Sequence, residues 1–434
     1  MNESPVGMRP AHAAGRAASR RRRPWRALLG AAASLAIAAV SAAAGGLSIS
    51  DAAELAREQS PSLRALRASV DGSSIAQPAA AALPDPKLLV GVDNLPVEGP
   101  DRYSFSRDPG TMQRLGVMQE VPNRAKRDAR LQLAQARSER DRLQLAAADL
   151  GVRREAMRAW VAVYYAQQRL AWLDRLQHEN GLLQQTLPAR IAAGQAPAAE
   201  LTMARQEALA IADRHDELAR DLAKARAALR RLIGVRGDEP LTGEPPAWRV
   251  DAAALRGSLH RHTELGPYEG LLAIGQAEVG ESESETRGDW AWEVVYARRA
   301  NYDDMVSFQL SFDLPLRQSE RQAPQIAARR KELERIEAER EDTTRRHAEE
   351  VEAQLAELQA LDAQAARLRE QGLPLADERV ALTLASYQAG RSELAAVLAA
   401  RSSLLELRLR ALALDAERSD LQVRLNTLIA EQTP

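Results

Sequence analysis

The chain has 434 residues, more than one compact core commonly uses; 4% are aromatic and 27% charged, a balance of long packed helices rather than of enzyme cores built on rings. Lys plus Arg (59) and Asp plus Glu (60) nearly cancel to a formal charge of −1, which removes the electrostatic case for nucleic acid as a partner. With no cysteine, disulfides, thiolate metal sites and cysteine nucleophiles are excluded.

The N-terminus opens with a basic block, Arg20 to Arg23 and Arg26, followed by an apolar run from Ala27 to Val40 and small residues through Gly46. This order predicts a cleaved export signal over residues 1–46. The Ser19-Arg20-Arg21 triplet fits either a twin-arginine or a general export route. No later window holds the roughly 18 to 20 apolar residues of a membrane helix, so any span must be β.

Residues 47–235 form a first repeat. Two strands are predicted at Lys87 to Asn94 and Gln113 to Val121, around a Pro- and Gly-bearing loop at 95–110. A helix follows from about Ala125 to Gln185, roughly 90 Å long at 1.5 Å per residue. Its row Leu143, Leu150, Met157 and Tyr164 recurs every seven residues, as packed helices require. Residues 236–258 read as a linker at the equator of the molecule.

Residues 259–434 repeat the plan. Trp290, Trp292, Val294 and Tyr296 share one face of a strand ending at Arg298, and Asn301-Tyr302-Asp303-Asp304 closes a hairpin. From Met305 to Leu314 the pattern alternates strictly, with Val306, Phe308, Leu310, Phe312 and Leu314 against Ser307, Gln309, Ser311 and Asp313. Seven-residue rows follow: Leu361, Leu368, Leu375 and Leu382, then Val397, Leu404, Ala411 and Leu425, with Leu407, Leu414, Leu421 and Leu428 beside them. Residues 190–234 align without a gap on residues 386–430 at an offset of 196, and Glu120-Val121-Pro122-Asn123-Arg124 matches Asp313-Leu314-Pro315-Leu316-Arg317 at an offset of 193.

All three Phe residues and two of the six Trp fall in the hairpin regions, a concentration that fits strands with one face in lipid and the other in water. Four strands cannot close a barrel, since bacterial barrels start at about 8, so several copies must share one. A soluble sheet packing its rings on a helix, within a periplasmic coiled-coil scaffold or adaptor, is the alternative. No catalytic motif is present: there is no G-x-S-x-G, no phosphate-binding G-x-x-x-x-G-K-[ST] and no H-E-x-x-H. Neither catalytic nor cofactor-binding residues are predicted. Among the six His, only His260 and His262 are closely spaced, and two residues apart on a helix they would face different ways, so no metal site is predicted. Met112, Met118 and Met305, near the strands, read as packing.

The duplicated order resembles that of the TolC-type outer-membrane efflux proteins. The resemblance rests on the opening LSISDAAELAREQSPSLRALRASV, the strand-to-helix junctions QEVPNRAKR and DLPLRQSER, and two helix turns containing Ala-Gly. The stretches LPDPKLLVGVDNLPVEG and QRLGVMQEVPNRAKR look most like the heavy-metal branch that accompanies resistance-nodulation-division pumps. The resemblance implies a mainly α fold with β: long coiled helices form an α-helical tunnel in the periplasm, and two hairpins per chain contribute to a trimeric barrel in the outer membrane. It implies a homotrimer as the assembly, with a periplasmic adaptor, an inner-membrane pump and outer-membrane lipid as partners. The implied function is a passive exit duct for heavy-metal cations; a duct for organic drugs or secreted polypeptides is the alternative. On this pattern Trp290, Trp292, Tyr296, Phe308 and Phe312 face lipid, and Pro122 and Pro315 mark the strand-to-helix turns. Gly194 and Gly390 mark turns at the periplasmic tip. Ala396 and Ala399 stand where the family often has aspartates, so Glu200 and Glu393 are the candidates for an acidic aperture.

Overall fold

The structure, a computed structural model, describes residues 46–429. The predicted export signal therefore lies outside the described residues, apart from Gly46. The chain runs through α1 (Ile49–Gln59), α2 (Pro61–Ala80), β1 (Lys87–Asp93), β2 (Met112–Val121), α3 (Arg124–Ala192) and α4 (Ala199–Ile233). After a short α5 (Ala252–Gly257) the same succession returns as α6 (Gly266–Ser284), β3 (Trp290–Arg298), β4 (Met305–Phe312), α7 (Gln322–Arg367), α8 (Leu373–Gln388) and α9 (Leu394–Asn426). The fold is mainly helical with one small sheet. No described helix is long and apolar enough to cross a membrane.

The four strands form a single antiparallel sheet in the order β1-β2-β3-β4. The central β2–β3 ladder joins the two hairpins, with Leu115 opposite Tyr296 and Val121 opposite Trp290. β4 ends two residues earlier than the alternation predicts. Asp313 N still donates to Asp289 O at 2.8 Å, but Pro315 has no N–H with which to extend the ladder.

The helix α3 is 69 residues long, about 100 Å, and exceeds the predicted stretch at its C-terminal end. Its second-half counterpart is not one helix. Between α7 and α8 lies a π-helical turn, Leu368–Gly372, immediately before Pro374. Proline can neither donate to the ladder nor tolerate the carbonyl four residues back, and the wider π turn absorbs both demands. One inserted residue rotates everything after it by roughly 100°. The row predicted through this region accordingly breaks: Leu361 is buried, whereas Leu375 and Leu382 are exposed on the single chain. The other rows keep their phase, with Leu150, Met157, Val397, Leu414, Leu421 and Leu425 buried.

The main core sits midway along α3. Trp160 is fully buried among α1 (Ala52, Ala53, Ala56), α4 (Leu229, Ile233) and Val423 of α9. Its indole Nε1 donates to Leu47 O at 2.8 Å, so the polar end of the ring is satisfied. Leu47 bridges Leu241 in parallel, which fastens the start of the described chain to the segment after α4.

Candidate functional site

Three places carry the polar chemistry: the sheet, the junction where strands become helices, and the turns at the far ends of the helices. On the sheet, the cross-strand register puts every predicted lipid-facing ring on one side. Tyr296 lies opposite Val306, Val294 opposite Phe308, Trp292 opposite Leu310 and Trp290 opposite Phe312. Leu88, Val90, Leu115 and Val117 extend this face across β1 and β2. All these side chains are exposed except Trp292, which is half-buried, and Phe308 and Phe312 each keep 64% of their surface. The opposite face carries the charged side chains, set among Leu89 and the buried Ala291, Val295 and Ala297. Arg114 spans three strands there, donating to Asp93 at 2.7 Å and to Glu293 at 3.1 Å, and Lys87 pairs with Glu120. Ser307, Gln309 and Ser311 belong to this face, as do the thioethers of Met112, Met118 and Met305. Among the described residues, the outer edges of β1 and β4 have no strand partner.

At the junction, Pro122 is buried and Pro315 half-buried, each just past a strand. The residue that does most here is the neighbour of Pro122. Asn123 caps α3, its Oδ1 accepting from Lys126 N at 2.9 Å. Its Nδ2 donates to Asp289 Oδ1 (2.9 Å) and to Arg287 O (3.0 Å), and its backbone N–H donates to the same Asp289 oxygen at 2.8 Å. Lys126 Nζ approaches the other Asp289 oxygen at 3.1 Å. Burial alone would raise the Asp289 pKa, but the Asn123 N–H and the Lys126 ammonium outweigh it and hold the carboxyl below its ordinary value. These bonds tie the first strand-to-helix turn to the start of β3. Asn before a long helical pattern was a capping signal available in the sequence; Asp289 carried none.

At the far ends, Gly194 (φ 67°) and Gly390 (φ 71°) adopt the left-handed conformation that a Cβ would penalise. Both close the same motif. Gly194 N donates to Ile191 O and Gln195 N to Arg190 O; Gly390 N donates to Tyr387 O and Arg391 N to Ser386 O. This is a Schellman ending repeated in the two halves.

The two candidate acids stand in different surroundings. Glu393 is exposed at the start of α9 without a side-chain capping bond. Glu200 is not an open carboxylate: it is buried on α4 and accepts from the Tyr387 hydroxyl of α8 at 2.5 Å. Arg190 in turn donates to the Tyr387 oxygen at 2.8 Å and lies 4.7 Å from the centre of its ring. Burial, then the bond to Glu200, raises the Tyr387 pKa, so the phenol stays a donor. Leu187, Ala204, Leu394 and Val397 enclose the group. The family pattern that singled out Glu200 could not show that a tyrosine 187 residues away would reach it.

His260 lies in a 3₁₀ turn and His262 just past it, rather than on a helix, and the two do not act together; His262 meets His347 instead. Among the described residues no group of three His, Cys, Asp or Glu is placed to hold a metal ion.

Residues 277–431 match the family model described as outer membrane efflux protein. No curated protein matches the chain. Among solved structures, the transmembrane channel CusC covers 88% of this chain and 91% of its own at 15% identity and a TM-score of 0.73. A membrane protein from Pseudomonas aeruginosa covers 88% of this chain and 89% of its own at 16% identity, with a TM-score of 0.74. The Campylobacter jejuni outer membrane channel CmeC covers 88% and 85% at 11% identity, with a TM-score of 0.73. The matched family is one of transport proteins and not of enzymes. Over residues 277–431 the chain thus carries the sequence pattern of the outer membrane efflux proteins, and over nearly all its described length it has the fold of outer-membrane channels of the TolC type.

Proposed function

We propose that the chain is the outer-membrane channel of a tripartite efflux system and acts as a homotrimer. Three four-stranded sheets close a twelve-stranded barrel, and the long helices continue it as a tunnel into the periplasm. There it receives cargo from an inner-membrane resistance-nodulation-division pump through a periplasmic adaptor. The observation that carries this reading is the sheet: one face apolar and exposed, the other carrying the ion pairs, with an edge on each side that is unpartnered among the described residues. A soluble scaffold would leave that apolar face in water. On this reading Trp290, Trp292, Tyr296, Phe308 and Phe312 meet lipid, and Gly194 and Gly390 lie at the periplasmic tip. Glu393 lines the aperture, while Glu200 holds it shut through Tyr387. Residues 1–46 are the export signal, 47–235 and 259–434 the two repeats, and 236–258 the equatorial linker.

The cargo we infer is heavy-metal cations. The polar face of the sheet bears Asp93, Glu120 and Glu293 against Lys87 and Arg114, a surplus of one negative charge per chain. Three thioethers share that face, a surface that favours soft cations without holding them tightly. Fractionation with an unboiled gel and crosslinking tests the channel; recovery as a soluble periplasmic monomer would overturn it. A deletion strain challenged with metals and with organic drugs tests the cargo, and sensitivity to drugs alone would replace the cation reading.

A further inference from the structure

His262 and His347 are separated by 85 residues and meet in the helical body. His262 lies between the 3₁₀ turns 259–261 and 263–265 and is 1% exposed; His347 lies on α7 and is 6% exposed. Their rings meet edge-on at 89°, and His262 Nδ1 stands 2.7 Å from His347 Nε2. Two ring nitrogens at that distance share a single proton, since one must donate and the other accept. The outer nitrogens differ. His347 Nδ1 faces Glu264 at 3.6 Å, whereas His262 Nε2 is buried without a well-formed hydrogen bond, the Leu255 carbonyl being the backbone acceptor beside the ring. The arrangement that leaves this dry nitrogen bare has His262 donating from Nδ1 to His347, whose own proton points at Glu264.

Acid has nowhere comfortable to load this pair. A proton added at His262 Nε2 creates a cation in a buried place, with the Leu255 carbonyl as the acceptor at hand. The Leu255 carbonyl and Glu264 favour the charged ring, but burial and the cations around it outweigh them: α3 presents Arg154 and Arg158, α9 presents Arg424, and the segment itself adds His260. Of the facing carboxylates, Glu264 is already held by Arg154 at 2.6 Å, which leaves Glu350 of α7 against three guanidinium groups. Asp420 is engaged by Arg158 and Arg424. The pair also sits where several elements are fastened. Thr263 N donates to Leu428 O at 3.1 Å beyond the end of α9, and Glu264 binds α3.

We propose that His262 and His347 form an acid-labile latch, closing segment 259–265 onto α3, α7 and the end of α9 near neutral pH and releasing it as the buried His262 takes up a proton. Burial, and then the charge of His347, hold His262 below the ordinary imidazole range. A base whose pKa is lower closed than released is less protonated when closed. The closed form is therefore fully favoured above about pH 6.5 and loses up to about tenfold per pH unit as the pH falls below it. The latch does not depend on the channel reading, since it needs only the packing within one chain.

Hydrogen exchange of the full-length protein, read by mass spectrometry between about pH 7.5 and 4.5 and corrected for intrinsic rates, measures it. In the wild type, peptides covering 255–265 should lose protection by up to about tenfold per pH unit below about 6.5, while peptides of the Trp160 region hold theirs. His347→Gln keeps an acceptor for His262 Nδ1–H but removes the second ring and should reduce the slope, whereas His262→Asn removes the buried imidazole and should flatten it. An unchanged slope in both variants, or wild-type protection that stays level to pH 4.5, would overturn the latch. Should neither variant fold, the wild type alone decides: loss of protection in all peptides at one pH is general acid unfolding and equally refutes it.

Discussion

Replacing Asn123 by Ala tests whether one side chain joins the hairpin region to the longest helix. The substitution removes the cap of α3, a loss of about 1 kcal/mol. It also removes the amide bond to the ionised Asp289, worth about 1.5–3 kcal/mol because the acceptor is charged. The backbone N–H of residue 123 and Lys126 remain, so Asp289 is weakened rather than abandoned. The expected loss is about 2–4 kcal/mol, read as a lower midpoint in denaturant unfolding or an earlier loss of the unboiled band on heating. The pH dependence has a fixed sign. Asp289 is held below its ordinary value, so its contribution is present above about pH 3.9 and disappears as pH falls through its lower folded value. The gap between wild type and variant should therefore narrow in strong acid to about the 1 kcal/mol of the lost cap. Asn123→Asp keeps a capping oxygen but sets a second carboxylate against Asp289, and should be worse than Ala near neutral pH. A change below about 0.5 kcal/mol for Asn123→Ala, or an Asn123→Asp variant as stable as wild type, would refute the clamp.

The two faces of the sheet predict opposite tolerance: Phe308→Arg should cost about 2–4 kcal/mol if its position is mid-bilayer and deplete the outer-membrane trimer, whereas Ser307→Arg should assemble normally. Equal recovery of both in fractionation would remove the face assignment. Tyr387→Phe deletes the donor to the buried Glu200, worth about 1.5–3 kcal/mol, and should raise the open fraction of the tip by about 10- to 150-fold, visible as frequent openings in planar bilayers. Unaltered gating would show that this bond does not hold the tip. Trp160→Ala should cost about 3–5 kcal/mol by emptying the main core, and Trp160→Phe markedly less, because Leu47 O still accepts from Thr242 N at 3.0 Å. Thermal unfolding of the two variants separates the cavity from the hydrogen bond.

Period and punctuation made much of the fold legible in the sequence. Alternation from Trp290 to Phe312 placed both strands of the second hairpin and put their rings on one face, because a side-chain period of two leaves no other register for them. The glycines of the two helix-ending turns, Gly194 and Gly390, were legible because each closes a helix with a conformation that other residues resist. The broken row at Leu375 was not. Pro374 was visible, but whether a proline ends a helix, kinks it or widens one turn depends on the helices packed beside it, here α9 along both α7 and α8. Nor could spacing show that Glu200 is buried, since an acid in the first turn of a helix is ordinarily solvated.

The residues that the internal repeat leaves unmatched have a common physical origin. At the offset of 196, Glu200 matches Ala396, Tyr387 matches Ile191, Asp420 matches Lys224 and Ser419 matches Ala223; at 193, Asn123 matches Leu316. Yet these residues help hold the halves to each other: Tyr387 to Glu200, Arg158 to Asp420, Tyr165 to Ser419 and Asn123 to Asp289. In a symmetric pair, a contact from one copy to the other is made twice, and the same residue types serve both times. Once both copies lie in one chain, each contact can be built once, from residues that need no counterpart. A carboxylate can then face a tyrosine on one side while alanine fills the matching place on the other. The repeat therefore records what each half does for itself, the helix rows, strand ends and Schellman turns. Where a polar side chain reaches across to the other half and its counterpart is apolar, as Asn123 against Leu316 and Tyr387 against Ile191, the contact is built only once.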